Sequence, residues 1–423
     1  MIIPSATTDR RIWLRVGTLL DGISTQPLRN AHVVYDSNHV LFVGEDSPSA
    51  DLLNPGQHAP DVDLPDYTFL PGLIESHAHF FLEGGELDTE KRAAYLKQTP
   101  EELLDHARPR LEKLVRLGVT AVRDAGDKDG VGLALSKLYA GQDRPLMPYV
   151  DSPGAAIHHR GRYGSFMGGP LEDFASPAEC VAARVKAGAD RIKLIPTGII
   201  NFKKGAVTTE PQMTTEELCA LVAAAKSFGK QTFAHASGDA GIERAIDGGV
   251  DSIEHGFFVR DDQLSRMRDL QIGWVPTFAP VQKQVDHAGL MGWDAEVVGN
   301  LRKILDQHAA SLAKGYELGV PIIAGSDAGS YGVAHGIGFL EEMELMERAG
   351  LSAQFVINSA TGAGSKRLAF KENFGQIKPG FLSRFILTRH SPLETVANLR
   401  KHRFVIFHDA VFESDETIDT KGL

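Results

Sequence analysis

The feature that most constrains the fold is an alternation of texture between residues 69 and 324. Short apolar, strand-like runs are separated by stretches of helical period, the pattern of βαβ units built on a parallel sheet. Eight strand candidates can be counted: Phe69–Ile74, Val119–Arg123, Leu146–Val150, Arg191–Ile195, Thr232–His235, Ser252–His255, Gly273–Thr277 and Pro321–Ala324. Helical stretches are predicted at Glu101–Leu117, Thr215–Phe228, Gly241–Asp247 and Ile304–Leu318. Eight such units predict a (β/α)8 TIM barrel rather than a nucleotide-binding doubly wound sheet. No GxGxxG opens a helix after a strand and no Walker A string occurs.

The two ends read differently. Ile12–Val16, Ala31–Tyr35 and Val40–Val43 are short strands between turn residues, and Arg384–Leu387 and Phe404–Val411 have the same texture. Residues 1–66 plus 371–423 are therefore expected to form one small β-sandwich-like domain, with 67–370 as the barrel. Residues 151–178 are rich in Gly, His and Arg without periodicity and read as a long loop over the barrel mouth.

Composition narrows the function class. With 44 basic and 55 acidic residues the formal charge is −11, which argues against a nucleic-acid binder. A local basic pocket for an anionic substrate remains compatible with that charge. Cys180 and Cys219 are the only cysteines and lack metal or redox spacing, so a reducing compartment is expected. The start of the chain has no basic segment followed by an apolar one, and no uncharged run approaches membrane length. These readings predict a cytoplasmic protein without a membrane partner.

The chemistry-bearing residues fall where the strand candidates end. His77 and His79 stand two apart in Leu73-Ile74-Glu75-Ser76-His77-Ala78-His79, and side chains at i and i+2 of a strand share a face. Lys193, His235, His255 and Asp327 follow in order, each at a later strand end. Catalytic residues of a (β/α)8 barrel collect at that C-terminal rim. Imidazoles with a carboxylate suit Zn²⁺, or Mn²⁺, Fe²⁺ and Co²⁺ by the same ligand logic. Each residue also has a plainer role open to it. A strand-end histidine can be a surface hydrogen-bonding group, Lys193 an ion-pair partner, and Asp327 a turn or cap residue. Asp124 in Arg123-Asp124-Ala125-Gly126 is assigned that turn role. Six such residues at five strand ends make the joint coincidence hard to sustain.

The order HxH, strand-four Lys, strand-five His, strand-six His, strand-eight Asp resembles the amidohydrolase superfamily. Pro71-Gly72-Leu73-Ile74, Gly249-Val250-Asp251-Ser252-Ile253-Glu254-His255-Gly256 and Gly325-Ser326-Asp327-Ala328-Gly329 are similar to its imidazolonepropionase-like and Xaa-Pro or Xaa-Arg dipeptidase-like branch. The resemblance implies two divalent metal ions, His77, His79 and Asp327 on one, and His235 and His255 on the other. It implies that Lys193 is N6-carboxylated and bridges them. A metal-bridging hydroxide would attack a scissile amide carbonyl, and Asp327 would carry its proton to the leaving nitrogen. Two departures stand out: Glu75 occupies a place where the superfamily usually has Asp, and Pro379-Gly380-Phe381-Leu382-Ser383-Arg384 replaces a usual Pro-Gly…Ala-Asp string.

Substrate contacts are expected from His158, His159, Arg160 and Tyr163 in the loop after strand three, where a cationic group could meet a carboxylate. Ser237 lies where relatives place a tyrosine, and Tyr331 and His335 follow strand eight. Lys203 and Lys204 read as solvated. The leading expectation is a small-molecule amide hydrolase, acting on a dipeptide or N-acyl amino acid. Alternatives are a cyclic-amide hydrolase or deaminase of the same superfamily, and a non-catalytic TIM-barrel binding protein. Homo-oligomerisation is suggested by fold analogy only.

Overall fold

The computed structural model describes residues 3–141 and 146–414. Its strands in chain order are β1 (Ile12–Leu19), β2 (Leu28–Tyr35), β3 (Val40–Gly44), β4 (Val62–Pro71), β5 (Leu73–Ala78), β6 (Val119–Asp124), β7 (Tyr149–Asp151) and β8 (Ala156–His158). They continue as β9 (Gly168–Pro170), β10 (Ile192–Leu194), β11 (Thr232–Ala236), β12 (Ser252–His255), β13 (Gly273–Val275), β14 (Arg384–Thr388), β15 (Arg403–Phe407) and β16 (Ala410–Ser414).

Both ends of the chain enter one seven-stranded sheet of order β16-β15-β14-β4-β1-β2-β3. It is antiparallel except for the β1–β4 pair, and its buried face carries Leu14, Val16, Val33, Phe69, Phe385 and Ile406. The tail residues 415–423 and the first two residues, assigned above to this part of the chain, lie outside the described residues.

The rest is α/β with parallel sheets. One sheet runs β5-β6-β7, the other β13-β12-β11-β10-β8-β9. Parallel bridges Trp274↔Ile322 and Ala78↔Ala328 tie the segment 322–328 to both. A bond from Asp190 N to Ser152 O, 2.8 Å, links the end of β7 to the entry of β10. Helices between the strands turn their apolar stripes inward. The helix Pro100–Arg116, for example, starts at a Thr99/Glu102 capping box and buries Leu103, Ala107, Leu111 and Leu114. No helix among the described residues is long and apolar enough to cross a membrane.

Several sequence expectations need correction. The run Phe69–Ile74 is not one strand of one sheet: it breaks at Gly72, where β4 passes to β5. A Cβ at Gly72 would sit 2.3 Å from Thr120 Cγ2, so only glycine lets the chain pass there. The candidate Leu146–Val150 is a ladder only over Tyr149–Asp151. Pro321–Ala324 forms no ladder: it meets β13 through the bridge at Ile322 and β5 through a bond from Ser76 N to Ala324 O. The presumed loop 151–178 instead contains β8 and β9, and β8 enters the parallel sheet beside β10.

Candidate metal centre

Strand alternation delivers part of the site directly. His77 in β5, and His79 just past it, fall on one face. In the parallel register Lys193 pairs with Phe233 and His235 with Glu254, so Lys193, Phe233, His235 and Glu254 share the inner face. His255 breaks the rule, because the residue after Glu254 in a regular strand points outward. Its φ of +68° turns the imidazole back, and Asp327 has the same left-handed backbone at φ +57°. Two non-glycine residues held in this sparsely populated region are a mark of functional constraint.

The result is a tight cluster. Ring centroids lie 4.5 Å apart for His235 and His255, 5.1 Å for His77 and His255, and 5.6 Å for His77 and His79. Asp327 Oδ1 is 3.6 Å from His77 Nε2 and 3.5 Å from His79 Nε2. One ligand atom from each of His77, His255 and Asp327 lies within 4.8 Å of the others.

Hydrogen bonds set the tautomers. His77 Nδ1 meets the Glu254 carboxylate at 2.6 Å and His79 Nδ1 meets Gly126 O at 3.0 Å. Neither partner can donate, so both Nδ1 atoms carry hydrogen and both Nε2 lone pairs are free. Thr277 donates its hydroxyl to Pro276 O at 2.8 Å and can therefore accept from His255 Nδ1 at 2.7 Å, which frees His255 Nε2. His235 is reversed: its Nε2 faces Gly198 O at 3.4 Å, leaving Nδ1 as the lone-pair atom. His77 Nε2 and Lys193 Nζ are buried without a hydrogen-bond partner among the described residues. Such orphaned atoms fit a bound cation and a further acceptor group.

Electrostatics keep the donors unprotonated. Burial, then the Lys193 charge, lowers His79 and His235 to about 3 and His77 well below the usual imidazole value. Burial also lowers Lys193 to about 8 and raises Asp327 to about 7.

Two residues beneath the site carried no functional reading in the sequence. Glu254, fully buried, pairs with the equally buried Arg123 at 2.7 Å and accepts from Ser252 Oγ at 2.7 Å while holding His77. The Phe233 ring centre lies 4.4 Å from the Arg123 guanidinium and 4.6 Å from Lys193 Nζ. The signal for the first was present: a Glu in the buried run Ser252–His255 and an Arg in Val119–Arg123 are out of place unless paired. Glu75 holds no histidine ring. It accepts from Ser326 Oγ at 2.5 Å and from Ser326 N and His77 N at 3.0 Å, tying β5 to the segment that bears Asp327. Asp124 accepts from Ser152 Oγ and Gly126 N, as a turn-shaping residue would.

The remaining candidates scatter. Tyr163 packs on His235 at 5.2 Å. His158 is buried, with Nδ1 on His159 O and Nε2 without a hydrogen-bond partner among the described residues. His159 lies between Glu172, 2.7 Å, and Glu217, 3.3 Å, and Arg160 pairs with Asp173. Ser237 N donates to Thr197 Oγ1. Tyr331 stands edge-on to His287 with Arg92 over its ring, and His335 Nε2 contacts His79 O at 3.1 Å.

Residues 68–407 match the profile of the Amidohydrolase family, and the chain belongs to that family. It is a hydrolase of carbon–nitrogen bonds, and the metal-dependent chemistry of that class suits the donor set above. Among similar proteins, ochratoxinase of Aspergillus niger is 24% identical over 417 residues, 94% of this chain and 85% of that protein. The crystal structure of a Xaa-Pro dipeptidase with bound methionine in the active site is 28% identical with a TM-score of 0.79, covering 96% of this chain and 100% of the other. The crystal structure of the A. niger ochratoxinase, 20% identical, has a TM-score of 0.80 over 98% and 99% of the two chains.

Proposed function

We propose that this protein hydrolyses a peptide-like or N-acyl amino acid amide in a small molecule, at a pair of divalent ions, most simply Zn²⁺. His77, His79 and Asp327 would hold one ion and His235 and His255 the other, with N6-carboxylated Lys193 between them. The observation that carries this reading is the set of four neutral imidazoles whose outer nitrogens are tied down and whose free lone pairs belong to one buried cluster. When bound, the ions would supply Lewis acidity toward a carbonyl oxygen and a water of lowered pKa.

The chain's own groups account for the proton steps. Asp327, whose Oδ1 lies 3.6 and 3.5 Å from His77 Nε2 and His79 Nε2, is placed to take a proton from the attacking water and release it to the leaving nitrogen. Lys193, lowered to about 8, presents part of its amine uncharged. A neutral amine adds to carbon dioxide, forming an N–C bond and releasing one proton. The carbamate would give the buried Nζ the partners it otherwise lacks. Similarity to a solved Xaa-Pro dipeptidase supports the amide bond class. We further propose that the parallel strands close as a (β/α)8 barrel over residues 67–370, with 1–66 plus 371–423 as a companion β-domain, and that the protein is cytoplasmic. The bridges at Ile322 and Ala328 support the closure, and two unpaired cysteines suit a reducing compartment.

Metal analysis of the purified protein tests the reading. Two ions per chain, and loss of both metal and hydrolysis in Lys193→Ala, are expected. One ion per chain, or a Lys193→Ala protein that keeps both metal and hydrolysis, refutes the bridged pair.

A further inference from the structure

One titratable residue behind the imidazole cluster does not match its surroundings. The helix Ala295–Leu318 buries Val297, Leu301, Ile304, Leu312 and Gly315, and His308 sits in the middle of that apolar stripe. Its ring stacks on Phe257, with centroids 3.9 Å and planes 20° apart, and packs against Phe278 at 4.6 Å and the edge of Trp274 at 5.6 Å. Nε2 lies 2.9 Å from Pro276 O. A carbonyl only accepts, so Nε2 carries the hydrogen. Nδ1 has no hydrogen-bond partner among the described residues. Burial lowers the ring to about 4, so it stays neutral and commits its one donor to one carbonyl.

That carbonyl has a second partner. Pro276 O also accepts from the Thr277 hydroxyl at 2.8 Å, and Thr277 Oγ1 in turn meets His255 Nδ1 at 2.7 Å. Trp274 closes the loop of contacts, donating from Nε1 to His255 O at 2.9 Å. Gly256 makes room for it, since a Cβ there would lie 2.5 Å from that nitrogen. The backbone at both His255 and Thr277 is left-handed, at φ +68° and +52°. For a β-branched threonine this is an outlier. Turning the Pro276–Thr277 peptide over would return Thr277 to negative φ and carry Pro276 O away from both donors. The backbone alone therefore favours the other orientation, and His308 opposes it.

We infer that His308 is a positioning residue for the metal centre: it locks the Pro276–Thr277 peptide so that Thr277 accepts from His255 Nδ1 and His255 Nε2 is the atom offered to an ion. The inference rests on the proposed metal reading and extends it to a residue that is not itself a ligand.

The test is Zn²⁺ affinity of the metal-free protein, measured against a chromophoric chelator, with urea denaturation of the same samples. His255→Ala first marks the binding step that depends on this imidazole. His308→Phe keeps a stacked ring and removes the donor. It should weaken that step about tenfold and leave any other step unchanged. His308→Gln supplies a donor at similar reach and should recover most of the loss. Thr277→Val combined with His308→Phe should bind no more weakly than Thr277→Val alone, because groups acting on one path do not add. A merely structural role would lower the urea midpoint of both His308 variants and spare the metal step. Absence of a His255-dependent step, unchanged affinity in His308→Phe, a His308→Gln protein as weak as His308→Phe, equal loss at every step, or additive losses in the double variant would each overturn the inference. Should His308→Phe not fold, NMR of isotope-labelled histidines in the unmodified metal-free protein decides: His308 must carry its hydrogen on Nε2 and His255 on Nδ1, and any other pair of tautomers overturns it. Failure of the hydrolase reading is seen separately, as absence of metal-dependent cleavage of any amide.

Discussion

Glu254 joins stability to metal binding, and Glu254→Gln separates the two. The Arg123–Glu254 pair is 2.7 Å long with side chains 1% and 0% exposed. With charge centres about 4 Å apart and an effective dielectric of about 20, the attraction is about 4 kcal/mol. Removing one member of a buried pair generally destabilises by about 3–5 kcal/mol, because the other charge stays buried and uncompensated. Glutamine keeps the shape and one acceptor oxygen, which places the expected loss near 3 kcal/mol, toward the low end of that range. Urea denaturation of the metal-free protein should show a lower midpoint with unchanged slope. The same substitution weakens the acceptor that fixes His77 Nδ1, so metal affinity should fall roughly 10–100-fold. Adding Arg123→Met removes the stranded cation: the double variant should regain much of the stability and none of the metal affinity. Strictly additive stability losses, or a Glu254→Gln protein within about 1 kcal/mol of the parent, would refute the argument, since contacting groups must couple.

Three further outcomes follow from neighbouring contacts. Thr277→Val leaves His255 Nδ1 without its acceptor and should lower metal affinity roughly tenfold by competitive chelation, with a smaller effect on folding. Gly325→Ala would set a Cβ 2.9 Å from His77 N and 2.7 Å from Val275 Cγ1; a stability loss of about 1–3 kcal/mol with reduced metal content is expected. Glu342 accepts from Phe278 N and Ala279 N at 2.9 and 2.7 Å, and burial raises it to about 8. Between about pH 4.5 and 8 the folded chain then holds a proton that the unfolded chain releases, so stability should fall with rising pH by up to about 1.4 kcal/mol per unit. Glu342→Gln should flatten that fall in denaturation curves taken across the window.

What could be read from the sequence was whatever depends on period and order. His77 and His79 share a face because strands alternate, and Lys193 and His235 sit at strand ends that an apolar run announces. His255 and Asp327 are different. Alternation alone would aim His255 away, and no composition rule states that two non-glycine residues adopt positive φ. Glu254 was legible only as an anomaly, a charge in a buried strand, because its partner Arg123 is 131 residues distant. His159 and Arg160 looked available for a carboxylate because Glu172, Glu217 and Asp173, which neutralise them, lie on other elements. The single strand expected over Phe69–Ile74 failed for a local reason: hydrophobicity runs through Gly72, while the hydrogen bonds change sheet there.

That change of sheet has a temporal side. The pair His77 and His79 hangs from a strand whose preceding residues, Thr68 to Pro71, are zipped to Phe385–Thr388, more than three hundred positions later. During synthesis the first imidazoles therefore leave the ribosome long before the segment that anchors their support. Chains truncated before residue 384 should retain metal poorly, and arrested chains carrying a C-terminal linker long enough to bring residues 384–407 out of the ribosome should regain it.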